Sequence, residues 1–284
     1  MIPAAFEYFS PATVDEALGL LREHTDAKVL AGGQSLMPAL RLRLAAPEVV
    51  VDLGKIAELR GVRDDGEALS IGAMTSHSAV QNDPLIGEHA RLISLATATI
   101  GDPQIRHRGT FGGSLAHADP AADLPAVAVA LDASFVIAGR DGRRTVPAGE
   151  FFQGVFSTAL EEDELLVEVR VPKYTGWGAH YEKFNRVAQA WSIVSVAAAV
   201  RLDGEAIAEA RVALGNMGAT PIRATAVEQA LVGQPATAEA VRAAAARAAD
   251  GTEPTTDLNG DADYRRHLAT VLTRRAVLAA AGTT

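Results

Sequence analysis

The sequence contains no cysteine. That absence excludes disulfides, thiolate zinc sites, Cys-ligated iron–sulfur clusters and a cysteinyl link to any cofactor within this chain. Positive charge is not in excess either: 26 Lys and Arg stand against 35 Asp and Glu, a net charge of −9. A chain with that balance is not built to neutralise the phosphates of DNA or RNA, so no nucleic-acid partner is expected. No apolar run reaches the roughly eighteen residues that a bilayer-spanning helix needs. The opening "MIPAAFEYFSPATVDEAL" lacks the basic and apolar regions of a signal peptide. A cytoplasmic location is expected, with membrane attachment at most peripheral and through partners. Also missing are G-x-G-x-x-G, G-x-x-x-x-G-K-[ST] and G-x-S-x-G. The usual dinucleotide fold, the P-loop and the hydrolase elbow are therefore disfavoured. Aromatic residues amount to 5 %, and only two are tryptophan.

What is present is ordinary globular material: 284 residues, 48 % hydrophobic, enough for two compact domains or one elaborate one. Near the start, Thr13 and Glu16 fit a capping box, and Val14, Ala17, Leu18 and Leu21 form one apolar helical face. "AKVLA" reads as a short strand broken by Gly32 and Gly33, with a helix from about Ser35 and a second buried strand at "EVVVDLG". Strand, helix and strand in that order predict a small parallel βαβ unit.

The pattern then changes to α+β. "GVRDDGEALSIGA" predicts a hairpin about Asp65 and Gly66, and "PLIGEHARLISLATATIG" one apolar helix. "GDPQIRHRGTFGGSLAHADPAADLP" reads as a long loop, and "DLPAVAVALDA" as a helix. "SFVIAGRDGRRTVP" reads as another hairpin and "DELLVEVRVP" as an alternating strand. A boundary is expected at "YTGWGA". Beyond it, "HYEKF", "SIVSVAAAVRL" and "AIAEARVALGN" predict three strands in meander order, followed by helices near 222–231, 238–249 and 261–281.

Two segments share a pattern. "VLAGGQSL" and "GTFGGSLAH" each place a Gly-Gly pair beside a polar residue and a serine. Glycine permits positive φ and removes Cβ, so successive N–H groups can converge on an anion, above all on phosphate oxygens. Two such nests suit a diphosphate gripped from both sides. The plainer alternative, a tight turn in each case, stays open at this point. Other candidates are weaker. His117 and Asp119 could be two metal ligands or structural residues. Arg106, His107 and Arg108 could meet an acidic partner or lie in solvent. Asp123 could cap the following helix or accept a hydrogen bond from a sugar hydroxyl. Trp191 could be core or a flat wall for an aromatic ring.

Together, "AGGQSLMPALRLRL", "IGDPQIRHRGTFGGSLAHADPAADLPA", "YEKF" and "YRRHLATVLTRRA" resemble the FAD-binding medium subunit of molybdenum hydroxylases, most of all that of the aerobic carbon monoxide dehydrogenases. The flavin segment of xanthine dehydrogenase is a more distant likeness. The resemblance implies a two-subdomain FAD-binding fold of the vanillyl-alcohol-oxidase/PCMH type, residues 1–175, split into a βαβ part (1–55) and an α+β part (56–175). A C-terminal domain follows (176–284), with a three-stranded antiparallel sheet and helices.

Carried over by position, the resemblance puts Val29, Leu30, Ala31, Gly32, Gly33, Gln34, Ser35 and Leu36 in a first FAD loop. Thr110, Phe111, Gly112, Gly113 and Ser114 fall in a second, at the pyrophosphate. Ile100 falls beside the flavin, Asp123 on the adenosine side, Leu166 and Lys183 at further contacts, and Trp191 where an aromatic flanks the isoalloxazine. Some relatives carry tyrosine at the Trp191 position and histidine at the Gln34 position. The implied cofactor is non-covalent FAD, with no metal and no substrate-activating residue in this chain.

The implied role is electron transfer. A small subunit with two [2Fe–2S] clusters would deliver electrons, a large molybdopterin subunit would oxidise substrate, and a quinone or other acceptor would remove them. The assembly would be a dimer of heterotrimers. The rival readings are the medium subunit of a xanthine-, nicotine- or aldehyde-type dehydrogenase, and a self-sufficient FAD-dependent oxidoreductase.

Overall fold

In a computed structural model, residues 2–283 are described. The chain opens with β1 (Glu7–Phe9), α1 (Val14–Glu23), β2 (Ala27–Leu30), α2 (Leu36–Leu42) and β3 (Val49–Asp52). The three strands form a parallel sheet in the order β1-β3-β2. The βαβ expectation holds for β2, α2 and β3, and β1, too short and exposed to announce itself, adds an edge. Thr13 Oγ1 accepts from Glu16 N at 3.2 Å, while Glu16 reaches back to Ala12 N rather than to Thr13. The capping box is therefore offset by one residue at its return arm.

The middle of the chain begins with β4 (Val62–Asp64) and β5 (Ala68–Gly72), the hairpin foreseen at Asp65 and Gly66. Six helices follow: α3 (His77–Asn82), α4 (Pro84–His89), α5 (Arg91–Ala98), α6 (Pro103–Arg108), α7 (Phe111–His117) and α8 (Asp123–Ala130). Two expectations need correction here. The single apolar helix is broken at Ala90, whose φ of −146° is not helical, into α4, which Asp83 caps and Pro84 starts, and α5. The stretch read as a long loop is mostly helix: Asp102 caps α6 through Ile105 N at 2.9 Å, with Pro103 at its first turn. The glycines that suggested loop sit inside the first turn of α7.

The next elements are β6 (Ser134–Gly139), β7 (Gly142–Pro147), α9 (Ala148–Phe151), β8 (Phe152–Gly154), β9 (Ser157–Thr158) and β10 (Leu165–Pro172). A five-stranded antiparallel sheet has the order β4-β5-β10-β6-β7. β10 does not alternate simply. Its register shifts between Leu166 and Glu168, so Leu166 and Val169 face the same core although three positions apart. A bulge does this because one extra residue moves every later side chain to the other face. One face of β6 and β10 packs on α1 and β3, and the other on α5, α7 and α8.

The last part holds β11 (Gly178–Phe184), β12 (Val194–Asp203), β13 (Ala206–Gly215), β14 (Ile222–Arg223), α10 (Thr225–Leu231), α11 (Ala238–Ala245) and α12 (Ala262–Ala280). The sheet is four-stranded, β11-β12-β13-β14, not three-stranded. Ile222 and Arg223, expected in a helix, pair with Leu214 and Ala213 before α10 begins. β12 is buried on both faces: Val194, Val196, Ala198 and Val200 join the core under α12, while Ala197 and Ala199 join the core around α5 and α8. That is why "VSVAAAV" reads as one apolar run instead of an alternation. Small alanines on one side let helices approach closely, and each buried valine on the other contributes about 1.5–3 kcal/mol. Closest of all, a Cβ on Gly178 would lie 1.8 Å from Ala280 O.

Candidate functional site

The two glycine segments are in direct contact. A Cβ on Gly32 would lie 2.4 Å from Arg108 O, 2.6 Å from Gly109 Cα and 2.9 Å from Thr110 N. A Cβ on Gly113 would meet Thr110 Oγ1 at 2.5 Å and Ala31 Cβ at 3.1 Å. The end of β2 and the start of α7 thus form one floor, and only glycine allows the backbones so close. Gly33 adopts φ of +78°, the left-handed region, and turns the chain from β2 into α2.

This floor carries unused hydrogen-bonding groups. Among the described residues, the N–H groups of Gly32, Gly33, Gln34, Ser35 and Gly113 find no backbone acceptor. Ser35 and Thr110 occupy cap positions of α2 and α7, yet neither side chain caps its helix. Thr110 Oγ1 is buried without any partner. Gln34 is exposed and folds back onto Gly32 O at 3.1 Å. Phe111 and Gly112 are tied down instead, donating to Thr75 O and Ala73 O at 2.9 Å each. Phe111 is core, and Ser114 donates to Thr110 O within the helix. Of the first segment, Val29 and Ala31 pack toward the core under α1, Leu30 completes the pairing of β2, and Leu36 begins α2.

A second cluster lies where β11 meets α5 and α8. Lys183 Nζ donates to Asp123 Oδ2 at 2.9 Å and to Thr99 O at 3.2 Å, and Tyr181 OH donates to Asp123 Oδ1 at 2.7 Å. Both charged side chains are 7 % exposed. Burial pushes the Asp123 carboxyl up, and the Lys183 ammonium opposes it. Burial likewise raises the Tyr181 phenol. Asp123 therefore does not cap α8, since both oxygens are spent on β11. Ile100 follows the carbonyl that Lys183 holds, and its own carbonyl accepts from Arg106 Nη1 at 2.9 Å. Leu166 is enclosed in the core around α8.

Trp191 is 62 % exposed on the segment between β11 and β12. That segment is tied back to the helices by Gln189 Nε2 on Asp102 Oδ2 at 3.2 Å and Ser192 Oγ on Ala121 O at 2.9 Å. The His117 and Phe156 rings meet at a 37° tilt with centroids 4.9 Å apart, and Asp119 accepts from Ala121 N in its own turn. They serve the turn rather than each other.

Three contributors carried no role in the sequence reading. Tyr181 was legible in principle, since it shares a strand face with Lys183 at spacing two. Arg265 lay inside a quoted motif. His77 gave no signal: its ring packs under the turn at Gly109, whose added Cβ would sit 2.7 Å from His77 Cδ2. The ring is 4 % exposed and its Nδ1 has no partner. Burial, aided by the charge of Arg106, pushes its pKa down to about 4. The depressed value means the folded chain resists a proton that the unfolded chain accepts near pH 6.5. Stability is therefore full above about pH 6.5 and declines toward pH 4, by roughly 3 kcal/mol for this group. In urea unfolding at pH 7 and pH 4, at fixed flavin concentration, His77→Gln is expected to lose less stability than wild type by about that amount. Identical losses would remove His77 as the source.

Comparison with known proteins gives the geometry its context. The family described as "FAD binding domain in molybdopterin dehydrogenase" matches residues 4–174. The chain belongs to that family. "CO dehydrogenase flavoprotein C-terminal domain" matches residues 179–280. The carbon monoxide dehydrogenase medium chain of Hydrogenophaga pseudoflava is 44 % identical, over 99 % of this chain and 98 % of its own length. The glyceraldehyde dehydrogenase medium chain of Sulfolobus acidocaldarius is 35 % identical over 97 % and 98 %. A solved carbon monoxide dehydrogenase from Hydrogenophaga pseudoflava superposes with a TM-score of 0.96 at 45 % identity, covering 100 % of this chain and 99 % of that one. The chain is a flavoprotein subunit of the molybdenum hydroxylase type, and FAD is its cofactor. The free N–H groups, the orphaned Thr110 hydroxyl and the glycine-only contacts fit that cofactor's diphosphate. No helix among the described residues is long and apolar enough to cross a membrane.

Proposed function

We propose that the chain is the FAD-carrying medium subunit of an aerobic carbon monoxide dehydrogenase. It would pass electrons from the [2Fe–2S] clusters of a small partner subunit to a quinone or another acceptor. The observation that carries this is the joined pair of glycine segments, in a chain collinear over 284 residues with a carbon monoxide dehydrogenase medium chain. The large partner would hold molybdopterin and oxidise substrate, and two heterotrimers would pair. The complex is placed in the cytoplasm, at most peripheral to the membrane. The division into 1–55, 56–175 and 176–284 belongs to this reading, as do the contacts carried over from the resemblance.

When bound, FAD supplies the redox chemistry. The protein binds and orients it. Gly32, Gly33 and Gly113 keep side chains out of the floor so that N–H groups reach the diphosphate, and Ser35 and Thr110 offer hydroxyls. Lys183 and Asp123 fix the peptide before Ile100 from below. Trp191, whose ring is exposed, would offer a flat surface on that side. Leu166 supports α8 from the core rather than from an open surface. A second reading, a heterocycle or aldehyde dehydrogenase medium subunit, draws on the glyceraldehyde dehydrogenase relative and on the nicotine 6-hydroxylase medium subunit, 35 % identical. Substrate choice in either case resides in another chain.

The test is production of the chain with and without its two partners. The co-produced complex is expected to contain FAD, iron, sulfide and molybdenum and to reduce dyes with carbon monoxide. The chain alone is expected to hold one FAD, to be bleached by dithionite, and to show no substrate-dependent bleaching. Bleaching of the lone chain by carbon monoxide, an aldehyde or a heterocycle would overturn the subunit reading in favour of a self-sufficient oxidoreductase.

A further inference from the structure

The segment bearing Trp191 leaves β11 at Phe184 and returns to β12 at Ile193. Its base is closed by Ile193 N donating to Phe184 O at 2.7 Å. Both residues of that base are touched by successive residues of α12. The Tyr264 ring meets the Phe184 ring edge-on at 6.4 Å between centroids. Arg265, wholly buried at 0 % exposure, donates through Nη1 to Ile193 O at 2.5 Å and through Nη2 to Asp257 Oδ1 at 2.8 Å. Its Nε has no partner. Asn216 adds Nδ2 bonds to Ser192 O at 2.8 Å and Ile193 O at 3.3 Å, and its own N–H holds Pro120 O at 2.8 Å.

A fully buried guanidinium is costly, and a core wanting only volume would take methionine or leucine there. What the arginine adds is reach and direction. One arm fixes the carbonyl two residues after Trp191, and the other is anchored to a half-exposed aspartate that keeps the charge compensated. Away from its base the segment is held by fewer and more exposed contacts: Gln189 Nε2 on Asp102 Oδ2, and its own Asn185 Nδ2 and Ala190 N on Val187 O. The rigidity of the segment is therefore concentrated at its base.

We infer that Arg265 is the positioning residue that fixes the 185–192 segment, and with it the Trp191 ring, against the flavin side of the molecule. The inference rests on the reading of Trp191 as a wall beside the flavin, and it adds the residue that sets the wall's place. Because Asp257 is 44 % exposed on its side chain, Arg265→Met leaves no buried unpaired charge. The fold and the glycine floor should survive that change.

The experiment uses the FAD-loaded complex in a Trp177→Phe background, which leaves Trp191 as this chain's sole tryptophan. The complex is reconstituted from unlabelled large and small subunits and this chain labelled with 5-fluorotryptophan, so that fluorine NMR reads Trp191 alone. In Arg265→Met the flavin content is expected to stay at one per chain, the Trp191 resonance to shift and sharpen, and reoxidation of reduced flavin by a dye to change at least threefold. An unchanged resonance with an unchanged rate would overturn the proposal. A shifted resonance with an unchanged rate would uphold Arg265 as the anchor and instead remove Trp191 from the flavin's side. Should Arg265→Met fail to assemble, Asp257→Asn loosens the same guanidinium from the surface. It is expected to shift the resonance in the same direction, and an unshifted resonance there would also overturn the proposal.

Discussion

Replacing Gly32 with valine is expected to strip the chain of flavin, from one FAD per chain to below about a tenth. The glycine's missing Cβ is the reason that the turn after β2 touches the turn between α6 and α7: the new atom would sit 2.4 Å from Arg108 O and 2.6 Å from Gly109 Cα, both backbone. Backbone cannot swing aside as a flexible side chain can, so the two segments must part and the N–H groups on either side lose their common focus. Gly33→Ala should be milder. There the neighbours are the side chains of Met37 and Leu30 at 3.2 and 3.3 Å, and the main cost is φ of +78°, about 1–2 kcal/mol for a residue with Cβ. Gly87→Ala is the control. Nothing lies within 4 Å of its Cβ position, φ is not positive, and α4 should gain up to ~1 kcal/mol. The ratio of flavin to protein absorbance measures all three, with circular dichroism to confirm folding. Full flavin in a folded Gly32→Val variant would refute the joined floor.

Much of this was legible from residues alone, because the signals were local. Apolar periodicity marks α1, the Asp65–Gly66 turn marks the β4–β5 hairpin, and Gly-Gly beside a hydroxyl marks both halves of the floor. The failures have a common cause. In 101–125 the glycines, prolines and aspartates that usually signal loop are start signals for three short helices, each only six to eight residues long. Pro103 sits in a first turn, Asp102 caps, and Gly112 and Gly113 are glycine inside a helix because Ala73 on one side and Thr110 and Ala31 on the other leave no room for a Cβ. The bulge in β10 and the two-residue strand β14 left no pattern at all, since pairing partners decide both. The same holds for His77 and Arg265. Nothing in "TSHSA" says that the ring lies under Gly109, and nothing in "YRRHL" tells which arginine is buried. The answer depends on which side of α12 meets β12, and Arg265 is buried while Arg266 is paired with Asp263 at the surface.

Lys183→Met is expected to lower stability by about 3–5 kcal/mol at neutral pH, because it leaves the Asp123 carboxylate buried without its cation. For a chain of this size that is on the order of 10 °C in melting temperature. Tyr181 still donates to Oδ1, but a single neutral donor does not replace an ammonium at 2.9 Å. The pH dependence gives the cause. Burial already raises the Asp123 pKa, and Lys183 is the largest opposing influence. Without it the folded pKa rises further above the unfolded value near 3.9. A carboxyl with a raised folded pKa favours the folded state while protonated, so its stability is present in acid and lost as pH rises through the folded value. The deficit of Lys183→Met relative to wild type should therefore shrink as the pH falls and grow as it rises toward pH 8. Adding Asp123→Asn should restore most of the loss at pH 8, since no buried charge remains and Tyr181 keeps an acceptor. Lys183 also joins β11 to the ends of α5 and α8, so both variants should bind FAD more weakly than wild type, through release of Thr99 and the peptide at Ile100, even where the double variant regains Tm. A pH-independent deficit, or a double variant no better than the single one, would mean that Lys183 acts through packing of its alkyl chain and not through its charge.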